Sequence, residues 1–215
     1  TTALIVNHLR SLQFEVRCGR AVIHPDFVMG RDPLLVAEAI ARAKRQGVSE
    51  ELLSELDGFT GAVGIWDSGR PGPVTAFRFD IDCVQVGETS DPAHEANAGG
   101  YASQRPNLMH ACGHDGHLAV GLGVAQWIKD HADQLCGKIK LVFQPAEEGT
   151  RGAQPMAESG ILDDVDFIVC THIGSSVPLH QVAVCTHGYL ATTKLDIYFE
   201  GVPAHAGANP EKGRS

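Results

Sequence analysis

No apolar run in this sequence approaches the roughly 20 residues that a membrane-spanning helix needs. Basic clusters are also missing, since "RAKRQ" at 42–46 is short and reads as the solvated face of a helix. With a formal net charge of −9, the chain is expected to engage neither nucleic acid nor an anionic membrane. The opening "TTALIVNHLRSL" lacks the charged n-region and small-residue cleavage site of a secretory signal, so it is read as structure. There is no CxxC pair. The six cysteines (18, 83, 112, 136, 170 and 185) are scattered, which excludes a disulfide framework and points to reduced thiols in a cytoplasmic protein. Cys83, Cys136, Cys170 and Cys185 lie in or beside apolar runs and read as buried small hydrophobes. Internal repeats and low-complexity segments are absent too.

What is present is an ordinary globular composition, 43% hydrophobic and 20% charged over 215 residues. "TTALIVNHLRSL" has helical periodicity, and "FEVRC" after it reads as a strand. "DPLLVAEAIARAKRQG" opens on Asp-Pro and closes on Gly47, the start and stop signals of a helix, and the short helix "SEELLSEL" follows. "TGAVGIWD", the turn "GRPGP" and "VTAFRFDID" read as a hairpin feeding a buried strand. After a polar, irregular stretch at 84–108 come the helix "HDGHLAVGLGVAQWIKDHAD" and the buried strand "KIKLVFQ". The short helix "RGAQPMAESG" and the strands "VDFIVCTHI" and "QVAVCTHG" complete the series. Helices alternating with apolar strands imply an α/β layered domain with a largely parallel sheet. Near residue 187 the pattern changes to "ATTKLDIYFEG", a half-exposed antiparallel strand, so the expected domains are 1–186 and the opening of another at 187–215.

Chemistry concentrates at a few element ends. "MHACGHDGH" puts three histidines, a cysteine and an aspartate into nine positions. Cys112 and His114 are two apart, so in an extended stretch both point to one side and can serve one centre. His117 lies a helical turn further on, and Asp115 can cap the helix. A lone histidine here would read as incidental, whereas the cluster reads as a metal site. "LVFQPAEEG" sets two glutamates just past a buried strand, where α/β proteins place their sites. Adjacent carboxylates repel, which suggests a cation or a division of labour between metal binding and proton transfer. "AFRFDID" ends in Asp80 and Asp82, and "DFIVCTHIG" carries His172. An aspartate behind a ligating imidazole fixes its tautomer. Together these ends offer what a dinuclear hydrolase centre requires. A structural metal site would favour four closed Cys/His ligands, and the Glu pair argues against that.

"FRFDID", "MHACGHDGH", "FQPAEEGTRGA" and "THIG", in this order, resemble the amidohydrolase branch of the aminoacylase/carboxypeptidase metallopeptidases. The resemblance implies a three-layer α/β catalytic domain with a largely parallel mixed sheet, incomplete here, and the first strand of an α+β lid and dimerisation domain. Carried over residue by residue, it makes Cys112, His114, Glu148 and His172 the metal ligands, with Cys112 the bridge between two ions. Glu147 matches the general base, and Asp80 and Asp82 match carboxylates behind the ligands. His205 in "GVPAHAG" matches a lid histidine that reaches the site of a partner protomer. The implied cofactors are two divalent ions, Mn²⁺ or Zn²⁺. The implied substrate is a small-molecule N-acyl amino acid, with p-aminobenzoyl-glutamate foremost. The alternatives are a broader hippurate or N-acyl-amino-acid deacylase, or a non-catalytic subunit. The expected assembly is a homodimer, or a heterodimer with a related chain, formed through the lid. The resemblance also puts one more ligand histidine and most of the lid beyond residue 215, so the chain is expected to be a fragment, inactive alone. Cys83 departs from the family, which usually has Ala-Leu after the second aspartate.

Overall fold

In the computed structural model the described residues are 1–174, 176–185, 192–193, 195, 197–198 and 200–214. They fall into two compact units, Thr1–Ser176 and Val177–Ser215.

In the first unit, local signals set the elements. Helix α1 (Thr2–Ser11) buries Ile5, Val6 and Leu9 along one stripe and leads into strand β1 (Glu15–Cys18). Helix α2 (Pro33–Arg45) begins where the Asp32 carboxylate accepts from the Leu34 amide at 2.8 Å and Pro33 takes the first helical position. Helix α3 (Glu50–Leu56) is capped in the same way by the Ser49 hydroxyl. Then follow β2 (Ala62–Asp67), β3 (Val74–Asp80), α4 (Glu95–Gly99), α5 (His114–Asp130), β4 (Lys138–Gln144), α6 (Ala153–Ala157) and β5 (Phe167–Cys170).

The five strands form one mixed sheet in the order β1-β2-β4-β3-β5. β1–β2 and β2–β4 are antiparallel, while β3–β4 and β3–β5 are parallel, so the sheet is less uniformly parallel than the sequence implies. β2 and β3 do not form the expected hairpin, because β4 lies between them. β4 is buried from Ile139 to Gln144, with Ile139, Leu141 and Phe143 in one core and Val142 in the other. A strand covered on both faces belongs at the centre of a sheet. The "GRPGP" turn is real but crosses the start of β4. Ser68 Oγ donates to the Gly137 carbonyl at 2.8 Å, and the Lys138 amide donates to Pro73 at 3.0 Å.

Two cores make three layers. On one face, α1 and α5 pack on Phe79, Leu141 and Phe143. On the other, Met156 of α6 joins Val22, Phe59 and Ile161 over Val63, Ala76 and Val142. Gly121 sets how closely α5 lies on the sheet. A Cβ there would stand 2.7 Å from Phe143 and 2.8 Å from Phe79, so no larger residue fits without displacing the helix.

Cys18 is the buried cysteine, packed with Leu52 and Leu56. Cys83, Cys136, Cys170 and Cys185 are exposed, contrary to the sequence reading. Cys83 and Cys136 stand in connections outside the strands, and Cys170 ends an edge strand whose four residues are all exposed. Burial, followed by hydrogen bonding to Glu55, pushes the Cys18 thiol up to about 12. The raised value means that its contribution to stability is intact below the ordinary 9.0 and declines as pH rises through about 12. Alkylation of the native protein near pH 8 is therefore expected to label Cys136 and spare Cys18 until unfolding. Peptide mass spectrometry checks this, and equal labelling rates would contradict the burial.

In Val177–Ser215 the described residues form a 3₁₀ turn at Pro210–Lys212 and an isolated antiparallel bridge between Val202 and Arg214. Residues 181–185 carry none of the strand expected at 181–188, and 186–188 lie outside the described residues. The expected boundary at 187 lies outside them too, as do positions 191, 194, 196 and 199 of the expected amphipathic strand. No helix among the described residues is long and apolar enough to cross a membrane.

Candidate metal centre

The side chains singled out in the first unit meet at the carboxyl ends of the parallel strands, where open α/β sheets place their ligands. β3 delivers Asp80 and, two residues on, Asp82. β4 leads into Glu147 and Glu148, and β5 into His172. α5 begins at His114, just after Gly113, whose φ of +82° gives the left-handed turn that a side chain would resist. The glutamate pair is held in a strained loop. Ala146 and Thr150, on either side of it, both have positive φ (53° and 51°), at a cost of about 1–3 kcal/mol each.

Asp82 ties three of these segments together. Its Oδ1 lies 3.1 Å from His114 Nδ1, and its Oδ2 accepts from the Glu148 amide at 3.1 Å. His114 Nδ1 also lies 3.1 Å from the Asp82 carbonyl oxygen. With only acceptors facing Nδ1, the proton sits there and Nε2 presents its lone pair. That Nε2 is buried without a hydrogen-bond partner. Around it stand Asp80 Oδ2 at 3.7 Å, Glu147 Oε2 at 3.8 Å and Glu148 Oε1 at 3.8 Å.

His172 is oriented in a similar way. Its Nδ1 donates to the Ile173 carbonyl at 2.7 Å, leaving Nε2 at 3.5 Å from Cys112 Sγ. Partial burial, followed by the carboxylates of Glu148, Glu147 and Asp80, holds the Cys112 thiol above its ordinary value. Two overlapping groups place one ligand atom per residue within 4.8 Å of one another: Cys112, His114 and Glu148, and Asp80, His114, His117 and His172. An unpartnered imidazole lone pair, a thiol and crowded carboxylates form a donor set lacking only positive charge. These residues fit divalent cations.

The sequence marks His117 only by its position and not as a site residue. Its ring is buried, bonded through Nδ1 to Asp80 Oδ1, and stacks on His114 at 5.3 Å between centroids. The available signal is its spacing, three residues after His114 and so on the same helix face. Asp80 is fully buried and also receives Arg78 at 2.6 Å. His205 belongs to the second unit, where its exposed ring accepts from the Gly207 and Ala208 amides at 3.2 and 3.1 Å.

The profile of peptidase family M20/M25/M40 matches residues 76–211, a span that includes every strand end just described. The chain belongs to this family. It is 49% identical, over all of its length and 51% of the relative's, to a homolog of a p-aminobenzoyl-glutamate hydrolase subunit from Haemophilus influenzae. It is 46% identical, over all of its length and 50% of the relative's, to the indole-3-acetyl-aspartic acid hydrolase of Enterobacter agglomerans. Among solved M20 relatives, an aminobenzoyl-glutamate utilization protein from Klebsiella pneumoniae superposes with a TM-score of 0.66 at 42% identity. That match covers 82% of this chain and 39% of the other. A dinuclear metal binding peptidase of the family from Bacillus subtilis superposes with a TM-score of 0.50 at 26% identity, covering 80% and 43%. The chain spans about half the length of the curated relatives it matches.

Proposed function

We propose that this M20 protein is a dinuclear metal-dependent amidohydrolase acting on N-acyl amino acids whose amino acid is acidic, foremost p-aminobenzoyl-glutamate. The observation that carries this reading is the buried, unpartnered His114 Nε2 facing Asp80, Glu147 and Glu148. In this reading Cys112, His114, Glu148 and His172 hold the ions, Mn²⁺ or Zn²⁺, and Asp80 and Asp82 orient the imidazoles. Bound divalent ions supply an acidified water and a polarised amide carbonyl. Glu147, part-exposed with an oxygen 3.8 Å from His114 Nε2, takes the proton from the attacking water and delivers it to the leaving amine. The names of the relatives support the substrate class: the acyl halves differ, p-aminobenzoyl against indole-3-acetyl, while glutamate and aspartate share a second carboxylate.

One relative is named as a homolog of a hydrolase subunit, which supports assembly with a like or related chain. We assign that contact to a lid beginning near residue 187, with His205 serving the partner's site. The exposed thiols of Cys83, Cys136 and Cys170 suit a cytoplasmic setting.

Metal-loaded full-length protein is expected to release p-aminobenzoate from p-aminobenzoyl-glutamate. No release at full metal content would overturn the assignment. For the second carboxylate the reading assigns Arg151, three residues beyond Glu148, whose buried Nε has no partner. Arg151→Met is expected to lower kcat/KM for p-aminobenzoyl-glutamate relative to p-aminobenzoyl-alanine by about 10–100-fold, the worth of a charged hydrogen bond. An unchanged ratio would remove Arg151 from recognition.

A further inference from the structure

His117 lies within ligand distance of its neighbours, yet both of its ring nitrogens are engaged by the protein. The Ile173 amide donates to His117 Nε2 at 2.8 Å. An amide N–H can only donate, so Nε2 carries a lone pair and no proton. The single proton of the neutral ring is therefore on Nδ1, facing Asp80 Oδ1. Asp80 is fully buried, and its other oxygen accepts from Arg78 at 2.6 Å. A continuous set of contacts thus runs from Arg78 through Asp80 and His117 to the backbone of Ile173.

The far end of this chain matters because of where it attaches. The ladder between β3 and β5 ends at the pair Arg78–Cys170, so His172 and Ile173 lie beyond the last strand pair of an edge strand. The Ile173 carbonyl sets the His172 ring by accepting from its Nδ1 at 2.7 Å. The His117 and His172 rings also meet edge to face, 4.5 Å between centroids. Helix α5 packs closely on the sheet at Gly121, whereas the ladder that holds β5 ends at Cys170.

We propose that His117 is a positioning residue: as a neutral Nδ1–H imidazole it clamps the Ile173 amide, and through Ile173 it aims His172 Nε2 at Cys112. The proposal rests on reading His172 as a metal ligand. It makes His117 a non-ligand although it stands among ligands, since an ion at Nε2 would have to displace the Ile173 amide that donates to it.

Two measurements on full-length protein test it. In metal-free protein labelled with ¹⁵N at histidine and isoleucine, a through-hydrogen-bond ¹⁵N–¹⁵N coupling is expected between the Ile173 amide and His117 Nε2, with His117 in the neutral Nδ1–H form. A proton on Nε2, or no coupling, overturns the clamp whether or not any variant folds. The second compares His117→Asn, which keeps a donor toward Asp80 and loses the acceptor, with His117→Gln, whose longer side chain restores an acceptor toward Ile173. Titration of Zn²⁺ into metal-free protein against a competing chelator is expected to show affinity about 10–100-fold weaker in His117→Asn, the usual cost of losing a partner behind a ligand. His117→Gln is expected to recover most of that loss at a similar Tm. Equal losses in both variants, or none in either, overturn the role. His172→Ala separates the two readings: if it keeps wild-type Zn²⁺ affinity, the ligand reading fails, independently of the coupling.

Discussion

Glu147→Gln in metal-loaded full-length protein is expected to lower kcat by roughly 10²–10⁴-fold, the usual cost of losing a general base, with bound metal close to wild type. Distance alone does not separate the two glutamates, since each places an oxygen 3.8 Å from His114 Nε2. Their surroundings do. Glu148 falls within the tight group with Cys112 and His114, and its amide is fixed on Asp82, whereas Glu147 belongs to neither tight group. A carboxylate among fixed donors suits a cation, and one outside both groups is left free for proton transfer. Glu148→Gln is therefore expected to lose metal first and activity with it, because a neutral amide is a weak ligand. Measuring kcat and metal content on both variants decides between them. Metal loss in Glu147→Gln with retention in Glu148→Gln would exchange the two roles, and full activity in both would end the hydrolase reading.

The other large effect belongs to Cys112. Its Sγ stands 3.5 Å from His172 Nε2 and within the group that includes His114 and Glu148, so it touches both halves of the cluster. Cys112→Ser is nearly the same size but offers a hydroxyl, a far poorer ligand for Zn²⁺ than a thiolate. Occupancy is expected to fall at both positions together, with affinity weakened by more than the roughly 10–100-fold that losing an outer partner costs. Native mass spectrometry reads this directly. Loss of one ion with the other retained would show that Cys112 serves a single ion, and unchanged stoichiometry would remove it from the centre.

Which side chains cluster is more legible in the sequence than how the strands pair. The strand ends bearing Asp80, Asp82, the glutamate pair and His172 were readable because apolar runs stop abruptly at chemistry-bearing residues. Pairing was not readable. A Pro-Gly turn between two apolar runs signals a hairpin locally, yet the all-buried "IKLVF" segment outcompeted β3 for the place beside β2. Periodicity reports which faces are covered and says nothing about which strand does the covering. His117 escaped for a related reason, since its part depends on the Ile173 amide, far away in sequence. Cysteine burial was misjudged because neighbouring apolar letters do not reveal that Cys170 ends an edge strand.

The strand order has a consequence for how the chain reaches this state. β3 pairs residues 74–80 with 138–144, and β1 pairs residues 15–18 with 62–65, so the sheet is closed by contacts remote in sequence. Such closure has to offset loop entropy before any contact rewards it, which places this sheet among slow-forming topologies. His114, Glu148 and His172 lie on separate stretches that become neighbours only once β3 has met β4 and β5. A cation bound there would therefore favour the state in which these strands are already paired, and stabilise it by mass action over chains in which they are not.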